Sequence, residues 1–173
     1  MSKRHWVASD AYASVLPLAT TLSQTITNSD APAPGSVNTP PSPSGIVIDR
    51  VVGTILVYPT GFNLIPSTGV IQRVWVGVVV CNLDSRTGLF NVPDPSLVAD
   101  QAVDWIWKDE GVIFLPSLGD PGICTSLRFR LPGRVSISLA TGEALLWSMT
   151  TDGPGPLDVS DNLRCRVSRL LYS

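Results

Sequence analysis

The stretch VIQRVWVGVVVC, residues 70 to 81, decides how the rest of the chain is read. With a strand's period of two, its even positions are Val70, Gln72, Val74, Val76, Val78 and Val80, and its odd positions are Ile71, Arg73, Trp75, Gly77, Val79 and Cys81. Both faces are mostly apolar, whereas a half-exposed antiparallel strand alternates apolar with polar residues. Each side therefore needs a cover. One side packs on a facing sheet, and the other is covered by the connection over 83 to 102, by the N-terminal segment, or by an adjacent copy of the chain.

On either side of this stretch the chain is punctuated throughout by its fifteen prolines and fourteen glycines, and few segments show a helical period. From residue 46 onward the punctuation cuts out eight runs rich in β-branched and aromatic residues: 46 to 58, 70 to 81, 103 to 107, 112 to 115, 126 to 131, 134 to 140, 143 to 150 and 163 to 172. The links KDEG (108 to 111), LPGR (131 to 134) and ATGE (140 to 143) read as tight turns, with Gly where positive φ is cheap. Within the longer link over 83 to 102, Asp94 and Pro95 suit the start of a short helix. The economical fold is all-β, an eight-stranded antiparallel sandwich of the jelly-roll kind.

Ahead of the first run lies DAPAPGSVNTPPSPSG, with five prolines in residues 30 to 45, which reads as an extended linker. Upstream, Pro17 and many Ser and Thr spoil a helical spacing of apolar residues. The expected organisation is an N-terminal arm and Pro-rich linker over 1 to 45, then a sandwich domain over 46 to 173. An arm carrying Trp6, Tyr12, Val15, Leu16, Leu18 and Leu22 does not belong in water, so it docks on a neighbour or folds back.

Charge supports burial between copies. Only 15% of the 173 residues are charged against 44% hydrophobic, a low density for a lone soluble domain. The net charge of -2 gives no global pull toward polyanions, yet residues 122 to 173 hold six Arg against four acids. No apolar run reaches the ~18 residues of a membrane span, and Asp10 and Pro17 interrupt what would be a signal-peptide core. Three cysteines, Cys81, Cys124 and Cys165, sit at apolar segments and read as small core residues in a reducing compartment.

Enzymatic sites are poorly supplied. His5 is the one histidine and lies in the arm, which removes histidine-based triads and cupin-type metal sites. No cofactor motif is present. Asp94, Asp100, Asp104, Asp109 and Glu110 crowd one region and supply a glycosidase pair on paper, although their positions read as loops and turns, where solvated turn acids explain them better. Asp152, Asp158 and Asp161 offer oxygen ligands for calcium in what reads as a loop, without the dense spacing of a dedicated site.

The arginines are better organised. Arg128 and Arg130 oppose Leu127, Phe129 and Leu131, and Arg164 and Arg166 oppose Leu163, Cys165 and Val167, so each strand has one apolar and one basic face. Such rows suit phosphate backbones, bound without sequence specificity. They equally suit a solvated outer face or ion pairs with neighbouring Asp. Trp75, Trp105, Trp107 and Trp147 fall in strands, with Trp105 and Trp107 on one face by alternation. They read as core or subunit contacts, together with Trp6, Val15 and Leu18 of the arm, or else as a platform for sugars or bases.

The segments RVVGTILV, VIQRVWVGVVV and DWIW, in that order, resemble the coat proteins of small icosahedral viruses, most of all the capsids of small circular single-stranded DNA viruses. The resemblance implies strands B to I paired as B-I-D-G and C-H-E-F. It also implies a closed shell of many copies in the virion, and an inner surface facing a genome. Lettered this way, residues 46 to 58 are B, 70 to 81 are C, D and E flank KDEG, F and G flank LPGR, 143 to 150 are H and 163 to 172 are I. The two Arg rows then fall on opposite sheets. Family coats often begin with a long basic arm, of which this chain has only SKRH, with Lys3 and Arg4. Genome contact thus shifts to Arg128, Arg130, Arg164 and Arg166. The rival reading is a β-sandwich module for carbohydrate or a cell-surface ligand, using Trp105 and Trp107.

Overall fold

A computed structural model describes residues 4–9, 12–15, 21–27, 45–59, 70–90, 93–97, 104–115, 125–140, 142–153 and 157–169. Every element among them is a strand: β1 (His5–Ser9), β2 (Tyr12–Val15), β3 (Thr21–Thr27), β4 (Ile46–Pro59), β5 (Val70–Asn82), β6 (Trp105–Leu115), β7 (Leu127–Leu131), β8 (Ile137–Leu139), β9 (Glu143–Thr151) and β10 (Leu157–Arg169). No helix among the described residues is long and apolar enough to cross a membrane.

The strands form two antiparallel sheets. The first runs β1-β10-β4-β7, with β2 also on β10 and β8 also on β4, and the second runs β3-β9-β5-β6. β1 and β2 pair with β10 in one continuing register, Ser9 opposite Leu163 and Tyr12 opposite Ser160. β7 and β8 are likewise successive pieces on one side of β4, with Leu131 opposite Gly53 and Ile137 opposite Ile48. Ten segments therefore occupy eight strand positions. Lettered from the N-terminus, with β1 and β2 as B, β3 as C, β4 to β6 as D to F, β7 and β8 as G, β9 as H and β10 as I, the sheets are B-I-D-G and C-H-E-F. That is a jelly roll.

The lettering drawn from the sequence holds for H and I, which are β9 and β10, but residues 46 to 58 and 70 to 81, read as B and C, stand two positions further on, at D and E. Residues 5 to 27, read there as arm, carry the edge strands of both sheets within the same chain, so pairing runs across the division expected at residues 45 and 46. Two expected turns are not reversals. KDEG lies inside the single strand β6, the outer strand of its sheet, where Lys108, Asp109 and Glu110 are exposed and discourage further pairing. LPGR separates β7 from β8 without turning the chain back. ATGE does turn: the Glu143 N–H donates to the Ala140 carbonyl at 3.2 Å, and Gly142 takes a φ of 85°. Residues 93–97 form a turn rather than the expected helix start, with Asp94 accepting from the Ser96 N–H at 2.8 Å and the Ser96 hydroxyl at 2.7 Å.

Between the sheets, Ile46, Ile48, Ile55 and Val57 of β4 meet Val74, Val76 and Val78 of β5, Leu145, Trp147 and Met149 of β9, and Leu163, Cys165 and Val167 of β10. Trp147 is fully buried, and its indole N–H donates across the sandwich to Asp161 of β10, a carboxylate held inside the core. Gln72, also buried, donates to the Thr151 hydroxyl at 2.5 Å. Burial of both polar side chains is thus accompanied by hydrogen bonding, without which it would be costly.

Candidate nucleic-acid interface

The two Arg rows lie on one sheet, not on two. β7 and β10 flank β4, and in both the alternate residues Phe129, Leu131, Leu163, Cys165 and Val167 enter the core. Arg128, Arg130, Arg164 and Arg166 therefore all point outward from the same face. Arg128 is opposite Leu56, Arg130 opposite Thr54 and Arg164 opposite Val52, which puts the rows two strand spacings, or about 10 Å, apart. Between them β4 contributes exposed Arg50, opposite Arg166. Arg4 reaches the face from just before β1, and Trp6, opposite Arg166, is 49% exposed. Lys3 and Leu18 lie outside the described residues, and Val15 is in β2 opposite Leu157.

Arg50 was not among the residues singled out from the sequence. The register of β4 against β10 shifts between Arg166 and Val167, whose partners are Arg50 and Ile48, so Asp49 is the extra residue of a β-bulge. A bulge breaks the alternation and re-aims side chains. Two successive polar residues, Asp49 and Arg50, inside an otherwise apolar run were the available signal.

Asp49 is clamped by guanidinium groups. Arg166 donates to it from two nitrogens, at 2.7 Å and 2.8 Å, and the Arg4 Nε lies 3.7 Å away. Hydrogen bonding from Arg166 is the main reason that the Asp49 carboxyl sits below its ordinary range; partial burial opposes this, and the charges of Arg166 and Arg4 add to it. A carboxyl depressed in the folded state contributes stability above its unfolded pKa, which is lost as pH falls through the folded value. Acid should therefore weaken wild type more than Asp49→Asn. Urea midpoints measured from neutral pH down to the acid limb check this; parallel losses in the two proteins would contradict it.

The outer face of the second sheet is different, and it answers the question raised by β5. Val79 and Cys81 of β5 with Ala144 and Leu146 of β9 form a small second cluster under Phe90 and Trp105. The connection after β5 supplies the cover. Leu83 bridges to Phe90, the Ser148 hydroxyl donates to the Pro93 carbonyl at 3.3 Å, and Lys108 Nζ donates to the Leu97 carbonyl at 2.9 Å. Gly77 is required beneath the Trp105 ring, since a Cβ there would fall 2.2 Å from it. At the other end no described segment covers the sheet. Ile71 (71% exposed) lies opposite Phe114 (44%), with Val112 (55%) on the same face. The free edge beside Phe114 is capped, because the Thr125 hydroxyl bonds both the Phe114 N–H, at 2.9 Å, and its carbonyl, at 2.8 Å.

The tryptophans separate. A register shift between Val78 and Val79 places Val78 opposite Trp107 and Val79 opposite Trp105, with Ile106 as the extra residue. Trp105 packs outward, whereas Trp107 packs on the main core, edge-on to Phe129 at 6.4 Å. The shared face expected from simple alternation does not form. Trp75 is half-buried and donates to Glu110 at 3.1 Å.

The acidic candidates are dispersed as well. β10 begins at Leu157, so Asp158 and Asp161 are strand residues an odd number apart, on opposite faces. Asp152 accepts from the Arg73 N–H at 2.7 Å. The loop expected to gather these three carboxylates is partly strand, and it does not bring them together. Burial acts to raise the Asp94 carboxyl, but hydrogen bonds from Ser96 and Thr150 hold it below its usual range, in a turn-stabilising role. Cys81 and Cys165 are buried free thiols; burial raises both, Cys165 to about 12, which makes them poor nucleophiles. Cys124 lies outside the described residues.

No protein-family model matches this chain, and no curated protein matches it. Among solved structures it is similar to a decameric BFDV capsid protein, at 12% identity over 99% of this chain and 100% of that one, with a TM-score of 0.38. A 60-mer BFDV capsid protein matches at 11% identity over 100% and 95% of the two chains, with a TM-score of 0.37. Turnip Yellow Mosaic Virus matches at 13% identity over 99% and 98%, with a TM-score of 0.31. With TM-scores this low, the fold assignment rests on the strand order of the chain itself.

Proposed function

We propose that this chain is the coat subunit of a small icosahedral virus, a non-enzymatic structural protein whose copies self-associate into a closed shell around a nucleic-acid genome. The observation that carries the reading is the sidedness of the sandwich. The outer face of one sheet gathers Arg4, Arg50, Arg128, Arg130, Arg164 and Arg166, whereas the outer face of the other leaves Ile71, Val112 and Phe114 in contact with water. A basic face suits contact with phosphates that is independent of sequence and weakens as salt rises. The apolar side chains suit burial against another copy, where surface that is a liability on a monomer becomes interface. Free buried Cys81 and Cys165 fit assembly in a reducing compartment. The carbohydrate-module reading is not favoured, because Trp105 and Trp107 do not form a common platform.

Negative-stain microscopy and light scattering of the purified chain test the proposal. Uniform closed particles are expected, and a well-behaved monomer at high concentration would remove it. In particles, Arg→Gln changes at 128, 130, 164 and 166 together should lower the ratio of nucleic acid to protein at least severalfold, given about fivefold in affinity per lost phosphate contact at 0.1 M salt. An unchanged ratio would take those side chains out of the genome interface.

A further inference from the structure

The basic face carries its own competitor. Of the six arginines placed on it among the described residues, Arg166 meets Asp49 with two parallel N–H to oxygen bonds, at 2.7 Å and 2.8 Å. This fork geometry is the one in which a guanidinium binds a phosphate. Arg4 Nε lies 3.7 Å from the same carboxylate, so one acid engages two of the six. No ion pair within 4.0 Å joins Arg50, Arg128, Arg130 or Arg164 to an acid among the described residues. The arrangement is positioned by the bulge in β4, which inserts Asp49 as an extra residue beside Arg166. A regular strand would have no residue to spare at this point.

Resting on the nucleic-acid reading of this face, we propose that Asp49 is an internal counter-anion that occupies Arg166 and restrains Arg4. The free subunit then binds a polyanion through the other arginines, and Asp49 sets how tightly and how salt-sensitively it does so. A phosphate arriving at Arg166 must displace a carboxylate already held at hydrogen-bond distance. The exchange of one anion for another releases little counterion and gains little affinity, whereas each arginine that has no ion pair among the described residues contributes a full counterion-release increment.

The test uses the full chain below its assembly concentration and a fluorescein-labelled oligothymidylate, read by anisotropy over a salt series. Asp49→Asn should bind about fivefold more tightly at 0.1 M salt, with the slope of log K against log salt steeper by about 0.7 for each arginine recovered. Asp104→Asn, an equal charge change at an exposed position in the other sheet's approach, should leave both nearly unchanged. Arg166→Gln should cost less than about twofold in wild type but about fivefold in the Asp49→Asn background, while Arg130→Gln costs about fivefold in both. Asp49→Glu should restore wild-type behaviour. Equal Arg166→Gln penalties in the two backgrounds, with Arg130→Gln still costly, would overturn the role of Asp49 and leave the interface standing. Binding that ignores Arg128, Arg130 and Arg164 altogether would overturn the interface itself, and this proposal with it. Should Asp49→Asn not fold, the wild-type comparison decides, since Arg166→Gln must then be milder than Arg164→Gln.

Discussion

Replacing Trp147 with alanine is expected to cost about 3 to 5 kcal/mol of unfolding free energy, the largest effect of any single side-chain truncation in this chain. Trp147 is the largest fully buried side chain, and it stands in β9 between the sheets. Its removal opens a cavity that two hydrogen-bonded sheets cannot collapse to fill, and dispersion contacts on every side are lost. It also takes a donor from Asp161, a carboxylate only 6% exposed. The two contributions separate in Trp147→Phe, which keeps most of the ring but lacks the N–H and should cost about 1 to 3 kcal/mol. Urea melts of the soluble chain at fixed protein concentration read both. A loss below about 1 kcal/mol for the alanine variant would mean that Trp147 is not the centre of the core.

Gly53→Ala should be nearly as damaging, at about 4 kcal/mol, combining backbone strain with overpacking. Gly53 sits in the middle of β4, with Leu163 of β10 on one side and Leu131 of β7 on the other. Its φ is 149°, outside what side-chain-bearing residues comfortably adopt, and a Cβ would fall 2.0 Å from the Asn162 carbonyl oxygen. Relief requires moving β4 or β10, and the two are paired along most of their length. Gly88→Ala is the matched control: its φ of 67° is also positive, but a Cβ there meets nothing within 4 Å, so about 1 kcal/mol is expected. Comparable urea midpoints for the two variants would show that the close approach at Gly53 relaxes freely.

Several features were legible along the chain because they are local. The runs at 46 to 58 and 70 to 81 became β4 and β5 to within a residue, since long stretches of Val and Ile have few other conformations open to them. Both basic rows were legible as well, because alternation within one strand is a property of that strand. The failures share a cause. Residues 108 to 111 look like a turn, yet they remain extended because β5 pairs along their whole length. Residues 157 to 162 hold Asp158, Ser160, Asp161 and Asn162 and look like a loop, yet β4 pairs with all of them and β2 pairs with 157 to 160 from the other side. The strands of residues 5 to 27 are interrupted by Pro17 and rich in Ser and Thr, and pairing with β10 and β9 is what defines them.

The amino-acid sequence by itself determined the all-β class, the strong central strands, the two-faced basic rows and the poverty of catalytic groups, because composition and a period of two act over a few residues. Only the tertiary structure decided that the N-terminal strands complete both sheets, that the basic rows share one face, that Trp105 and Trp107 part company, and that Asp49 holds Arg166. Each of these depends on which strand lies beside which and on where a bulge shifts the register. Hydrogen bonds between residues as far apart as Asp49 and Arg166 settle those matters, and no local pattern encodes them.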